Sequence, residues 1–109
     1  MEVVSVLVDN GADVNQVTND GATPLFIAAQ DGHVEVVSVL VDNGADANWA
    51  MNDGATPLFI AAQYGHVEVV SVLVANGADV NQVTNDGATP LFIAAQDGHV
   101  EVVSVLVDN

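Results

Sequence analysis

The sequence repeats itself every 33 residues, and that period constrains the fold more than any other feature. Asp-Gly-Ala-Thr-Pro-Leu-Phe-Ile-Ala-Ala-Gln begins at Asp20, Asp53 and Asp86, and Gly-His-Val-Glu-Val-Val-Ser-Val-Leu-Val begins at Gly32, Gly65 and Gly98. Asn-Gly-Ala-Asp recurs from Asn10, Asn43 and Asn76. A fixed period of this size marks a solenoid, in which each unit is too small to bury its own apolar face and is sealed by the next. Glu2 to Asn43 also matches Glu68 to Asn109 except for Asp9 against Ala75. That near-identity suggests recent duplication or deliberate construction.

Each unit reads as two short helices and a loop. Thr23 is a good N-cap, and Pro24 suits a first helical position, where no amide donor is needed. Leu25 to Gln30 continues the helix, and Gly32 supplies a residue able to adopt positive φ and stop it. A second helix is expected from about Val34 to Asp42, ending at Gly44. The loop Ala45 to Asp53 carries the Asp, Asn and Gly that make turns. One local signal opposes this: Val34 to Val41 is β-branched and by itself reads as a strand. The apolar residues at 36, 37, 40 and 41 keep helical spacing, so a helix is expected, one that depends on tertiary packing.

Charge bounds the partners. The 109 residues contain 15 Asp and Glu and no Lys or Arg, for a formal charge of −15. Such a chain has nothing with which to replace the counterions of a phosphate backbone, which excludes nucleic acid, and anionic membrane surfaces are excluded on the same ground. A charged partner should be basic. No apolar run approaches the roughly 20 residues needed to span a bilayer. Met1-Glu2-Val3-Val4 lacks the basic region of a signal peptide. The absence of cysteine rules out disulfides and is compatible with a reducing compartment such as the cytoplasm.

These motifs together resemble the ankyrin repeat. The resemblance covers the whole chain and rests on Gly-x-Thr-Pro-Leu at 21–25, 54–58 and 87–91, and on Ala-Ala-x-x-Gly-His at 28–33, 61–66 and 94–99. Glu-Val-Val at 35–37, 68–70 and 101–103 and Gly-Ala-Asp-x-Asn at 11–15, 44–48 and 77–81 complete it. It implies an all-α solenoid of stacked antiparallel helix pairs with projecting β-turn loops, as a single domain over 1–109. The expected division is a partial repeat at 1–15 and repeats at about 16–48, 49–81 and 82–109. It also implies a non-enzymatic, cofactor-free scaffold that binds other proteins through its fingers and inner helices. Two positions depart from the family pattern. Phe26, Phe59 and Phe92 stand where His is usual, so Thr23, Thr56 and Thr89 are expected to cap alone while the rings add apolar burial. Thr18, Met51 and Thr84 stand where the finger tip usually has Asp.

Conventional chemistry fits the polar residues poorly. His33, His66 and His99 read as hydrogen-bonding residues between helix pairs. Adjacent helices pack roughly 8–10 Å apart, too far for His nitrogens to share a zinc that each must approach to about 2 Å. A catalytic group copied identically in every unit, as Ser38 is, is implausible. Asp9 to Asn15 lacks the spacing and distal Glu of a calcium loop. Asp13, Asp46 and Asp79 are instead expected to bond loop amides, with Asn15, Asn48 and Asn81 linking neighbouring loops. No metal site is expected.

Variation concentrates in the middle repeat. Trp49 replaces Gln16 and Gln82, Met51 replaces Thr18 and Thr84, and Tyr64 replaces Asp31 and Asp97. Tyr and Trp are favoured anchors of interfaces. The family pattern implies that Ala50, Asn52, Asp53, Ala55, Gln63 and Tyr64 face the partner. The expected binding surface is therefore concave and acidic with central aromatics: Trp49, Met51 and Tyr64 with those neighbours, and Asp20, Asp31, Asp53, Asp86 and Asp97 attracting basic residues. The alternative is a structural or engineered module without a natural partner. The chain begins inside a second helix and stops after another, with no polar capping repeat at either end. A fragment of a longer array, or copies stacked end to end, is expected.

Overall fold

The computed structural model describes residues 11–109. Six helices follow one another: α1 (Pro24–Gln30), α2 (Val34–Asp42), α3 (Pro57–Gln63), α4 (Val67–Ala75), α5 (Pro90–Gln96) and α6 (Val100–Val107). Among the described residues there is no strand. The expected helix around Glu2 to Val8, with Val3, Val4 and Leu7, lies outside the described residues.

The helix boundaries follow from local chemistry. Thr23, Thr56 and Thr89 are extended N-caps whose hydroxyls accept from the amides of Phe26, Phe59 and Phe92 at 3.0–3.1 Å. Proline follows each cap at the first helical position. At the far end, the Gly32 amide donates to Ala29 O and the His33 amide to Ala28 O. The Gly44 amide donates to Val41 O and the Ala45 amide to Leu40 O. Both are Schellman closures, which require the positive φ found at Gly32 (73°) and Gly44 (93°).

Helices of seven to nine residues do not persist alone; contacts along the stack hold them. Within each repeat the two helices pair, α1 with α2, α3 with α4 and α5 with α6. Between repeats, α1 packs on α3 and α3 on α5, while α2 packs on α4 and α4 on α6. The core runs continuously through Leu25, Val37, Leu58, Val70, Leu73 and Val102. The valine-rich segments are helices because Val37, Val70 and Leu73 lose all their exposure there, which outweighs the few tenths of a kcal/mol per residue that β-branching costs a helix.

Thr56 is buried and its hydroxyl bonds the Phe59 amide at 3.1 Å. Thr56→Ala is expected to cost about 1 kcal/mol. Thermal unfolding should show it as a midpoint roughly 4–8 °C lower. An unchanged midpoint would mean that the cap contributes nothing.

Candidate protein-binding surface

The fingers between helix pairs form a ladder of hydrogen bonds. Each begins with an Asx turn, in which the carboxylates of Asp13, Asp46 and Asp79 accept from the amides of Asn15, Asn48 and Asn81 at 2.9 Å. Asn15 then links forward: its Oδ1 accepts from the Asp46 amide and its Nδ2 donates to Gly44 O. Asn48 does the same with the Asp79 amide and Gly77 O. Nearer the tips, the Asn52 amide donates to Asp20 O and the Asn85 amide to Asp53 O. The roles read from the sequence for these Asp residues, and for Asn15 and Asn48, are seen directly.

The finger tips close without the family's usual Asp. Thr18 and Thr84 accept from the amides of Ala22 and Ala88 through their hydroxyls. Met51 has no such oxygen, and Asp53 takes over, its carboxylate accepting from the Ala55 amide at 2.9 Å. All three fingers keep the same backbone pair, the tip residue's amide donating to the alanine carbonyl four residues on.

The histidines bridge repeats. Nε2 of His66 donates to Gln30 O at 3.0 Å and Nε2 of His99 to Gln63 O at 2.8 Å. A carbonyl can only accept, so the proton sits on Nε2 in both. The rings lie over the preceding repeat's glycine; a Cβ at Gly32 or Gly65 would come within 2.8 Å of them. Among the described residues, no three His, Asp or Glu side chains gather where they could hold a metal ion.

The middle-repeat aromatics are exposed. Tyr64 caps α3 at 52% exposure, its ring centroid 6.2 Å from that of His66. Trp49 is 41% exposed, and its Nε1 donates to Gly21 O of the preceding finger at 3.1 Å. Its equivalent Gln82 also reaches back to the preceding finger, at a different position, its Nε2 donating to Asn48 O. Trp49 is thus tied to the preceding finger through its indole N–H while part of the residue faces solvent. Asn52, Asp20, Asp31, Asp53, Asp86 and Asp97 are exposed, Ala50 and Gln63 half-buried, and Met51 half-buried against the core. Ala55 lines the groove described below while its side chain packs inward. It is 6% exposed because the finger folds its methyl into the core.

A groove of about 510 Å³ gathers several of these residues. Asp53, Gln63 and Asp86 line it together with Phe59 and Phe92. Trp49 and Tyr64 lie outside that lining, and Asp31 borders a different groove beside α1. The two phenylalanines are the residues that the sequence reading missed, since it assigned the rings to burial. Phe26 is buried, Phe59 half-buried and Phe92 exposed. The only available signal was their substitution for the usual histidine on a face turned toward the fingers.

Stacked helix pairs that share one continuous core, with fingers tied in a ladder, define a helical-repeat solenoid, a class built to present surface. The family described as ankyrin repeats (3 copies) matches residues 1–84 and the single ankyrin repeat matches residues 86–109, so the chain belongs to the ankyrin-repeat family. A search of the curated proteins returned no match. Ankyrin repeats are generally protein–protein interaction modules and typically non-enzymatic. Among the described residues, no helix is long and apolar enough to cross a membrane.

Proposed function

We propose that the finger and inner-helix surface is a scaffold that binds a basic segment of a partner protein. The observation that carries this reading is the groove in which Phe59 and Phe92 sit with Asp53 and Asp86, on a chain without one Lys or Arg of its own. The aromatic faces offer apolar contact and cation–π attraction to an arginine, while the carboxylates accept its N–H donors in pairs. Trp49 and Tyr64 anchor the middle repeat, with Asp20, Asp31 and Asp97 extending the negative field along the stack. The partner's approach is thereby steered by charge and its register set by the rings.

Titration with an arginine-rich peptide tests this. Tyr64→Ala is expected to weaken binding roughly 30-fold, the equivalent of about 2 kcal/mol. Trp49→Gln installs the residue found at positions 16 and 82, so it retains a side chain able to reach the preceding finger while deleting the indole. It should weaken binding comparably and leave the unfolding midpoint unchanged. Raising the salt concentration should weaken binding further. Affinity that is insensitive to both substitutions would remove these residues from the interface.

A further inference from the structure

Successive fingers meet over two notches of the same design, and one substitution sets them apart. The groove between the second and third fingers is lined by Asp53, Phe59, Gln63, Thr84 and Asp86. One period earlier the corresponding residues are Asp20, Phe26, Gln30, Met51 and Asp53. Both notches lie inside the stack, each between two described fingers. Their rings differ: Phe26 is 6% exposed, whereas Phe59 is half-buried. Met51 takes beside the first finger the place that Thr84 takes beside the second. Its Cα lies 3.4 Å from a Cβ built on Gly21, and that of Thr84 lies 2.9 Å from one built on Gly54. Met51 is half-buried against the core cluster to which Phe26 belongs. Its long, flexible thioether chain suits it to fill such a gap, and threonine is too short to do so. The substitution also changes the carboxylates. Thr84 Oγ1 takes the Ala88 amide, which leaves the exposed Asp86 carboxylate to solvent. Met51 has no oxygen to offer, so the Ala55 amide binds the Asp53 carboxylate instead, at 2.9 Å.

We propose that Met51 sets the specificity of the scaffold: it plugs the first notch and leaves the second as the seat of one arginine side chain. This rests on the reading that the groove binds a basic segment. Arginine suits the seat better than lysine. Its planar guanidinium lies against the Phe59 ring while its N–H fork meets the Asp86 carboxylate. Lysine feels the same attraction to a chain of charge −15 but brings a point charge without the fork. Helices of successive repeats lie roughly 8–10 Å apart, and an extended segment advances about 3.3 Å per residue. Arginines three residues apart therefore reach equivalent points of the two notches, and of the two only the second is open. Met51→Thr installs the residue found at positions 18 and 84. It removes the plug, gives the Ala55 amide a hydroxyl and frees the Asp53 carboxylate, so a second arginine seat opens.

Calorimetric titration of the full chain with Arg-x-x-Arg, Arg-x-x-Lys, Lys-x-x-Arg and Lys-x-x-Lys peptides, equal in charge and otherwise neutral, tests this. The unaltered chain should bind the first three within about twofold of one another and the all-lysine peptide roughly tenfold more weakly. Met51→Thr should bind Arg-x-x-Arg about tenfold more tightly than either mixed peptide. Met51→Ser, which also removes the plug and supplies a hydroxyl, provides a second variant. Met51→Leu keeps the apolar bulk and should behave as the unaltered chain. Asp86→Asn, at an exposed position, should abolish the preference for arginine over lysine. Circular dichroism checks that each variant is folded. Tyr64→Ala should weaken all four peptides by the same factor, so that assignment does not touch the comparison. An unaltered chain that already favours Arg-x-x-Arg over the mixed peptides would overturn the role of Met51 alone. So would Met51→Thr and Met51→Ser variants that fail to favour it, or a Met51→Leu variant that does. Indifference of the unaltered chain between arginine and lysine would overturn the arginine seat as well. Failure to bind any of the four would remove the basic-partner reading, and this proposal with it.

Discussion

Leu73→Ala is expected to destabilise the chain by about 2–5 kcal/mol, against a total of about 5–15 kcal/mol for a domain of this size. Leu73 is fully buried on α4, in the middle helix pair, which packs against α1–α2 on one side and α5–α6 on the other. Truncation removes the transfer free energy of three carbons and leaves a cavity that a short helix packed between two neighbouring pairs cannot fully close. A solenoid's stability is a sum over units and nearest-neighbour interfaces, so a defect in the central unit weakens two interfaces at once. Leu106→Ala, the same change in the last pair, where the leucine is buried but only one neighbour follows the core inward, should cost less. Urea titration of the two variants gives the comparison. Equal losses would show that the central leucine does not couple its neighbours.

Gly54→Ala is expected to be the most damaging single methyl in the fingers. Gly54 has φ +89°, where an L side chain is strained, at a cost of roughly 1–3 kcal/mol. Its added Cβ would also lie 2.7 Å from the Asn85 amide nitrogen and 2.9 Å from Thr84 Cα. Those atoms are backbone of the next finger and cannot swing aside. The fingers would have to part, losing the Asn85 amide bond to Asp53 O and the Asn85 Nδ2 bond to Asn52 O, each of them worth roughly 0.5–1.5 kcal/mol. Gly44→Ala is the control. Its φ is +93°, and nothing lies within 4 Å of the added carbon, so it incurs the backbone strain alone. The difference between the two variants in thermal unfolding should be about 1–3 kcal/mol and isolates the packing of one finger on the next. If Gly44→Ala proves equally costly, the ladder between fingers does not hold the repeats together.

Much of this was legible in the linear chain, and for a physical reason. Caps, stops and turns depend on neighbours within five residues, so Thr23, Pro24, Gly32 and Gly44 mark their own roles. So does Asp46, which bonds an amide two residues on. The period of 33 turned those local signals into an architecture. Where local and global preferences conflicted, over Val34 to Val41, the apolar spacing prevailed because burial outweighs the β-branched residues' reluctance to be helical.

What the sequence by itself determined was the repeating unit, its helix ends and the sign of its charge. Only the tertiary structure decided which copy of each repeated residue is covered. Leu25 and Leu58 are sealed and Leu91 is open, though all three have the same local sequence. Phe26, Phe59 and Phe92 likewise grade from buried to exposed, and the Trp49 indole is tied to Gly21, 28 residues away. The reason is the geometry of a stack. Exposure belongs to the contact between units, and a residue's own neighbours in the chain carry no record of what lies one repeat above or below it.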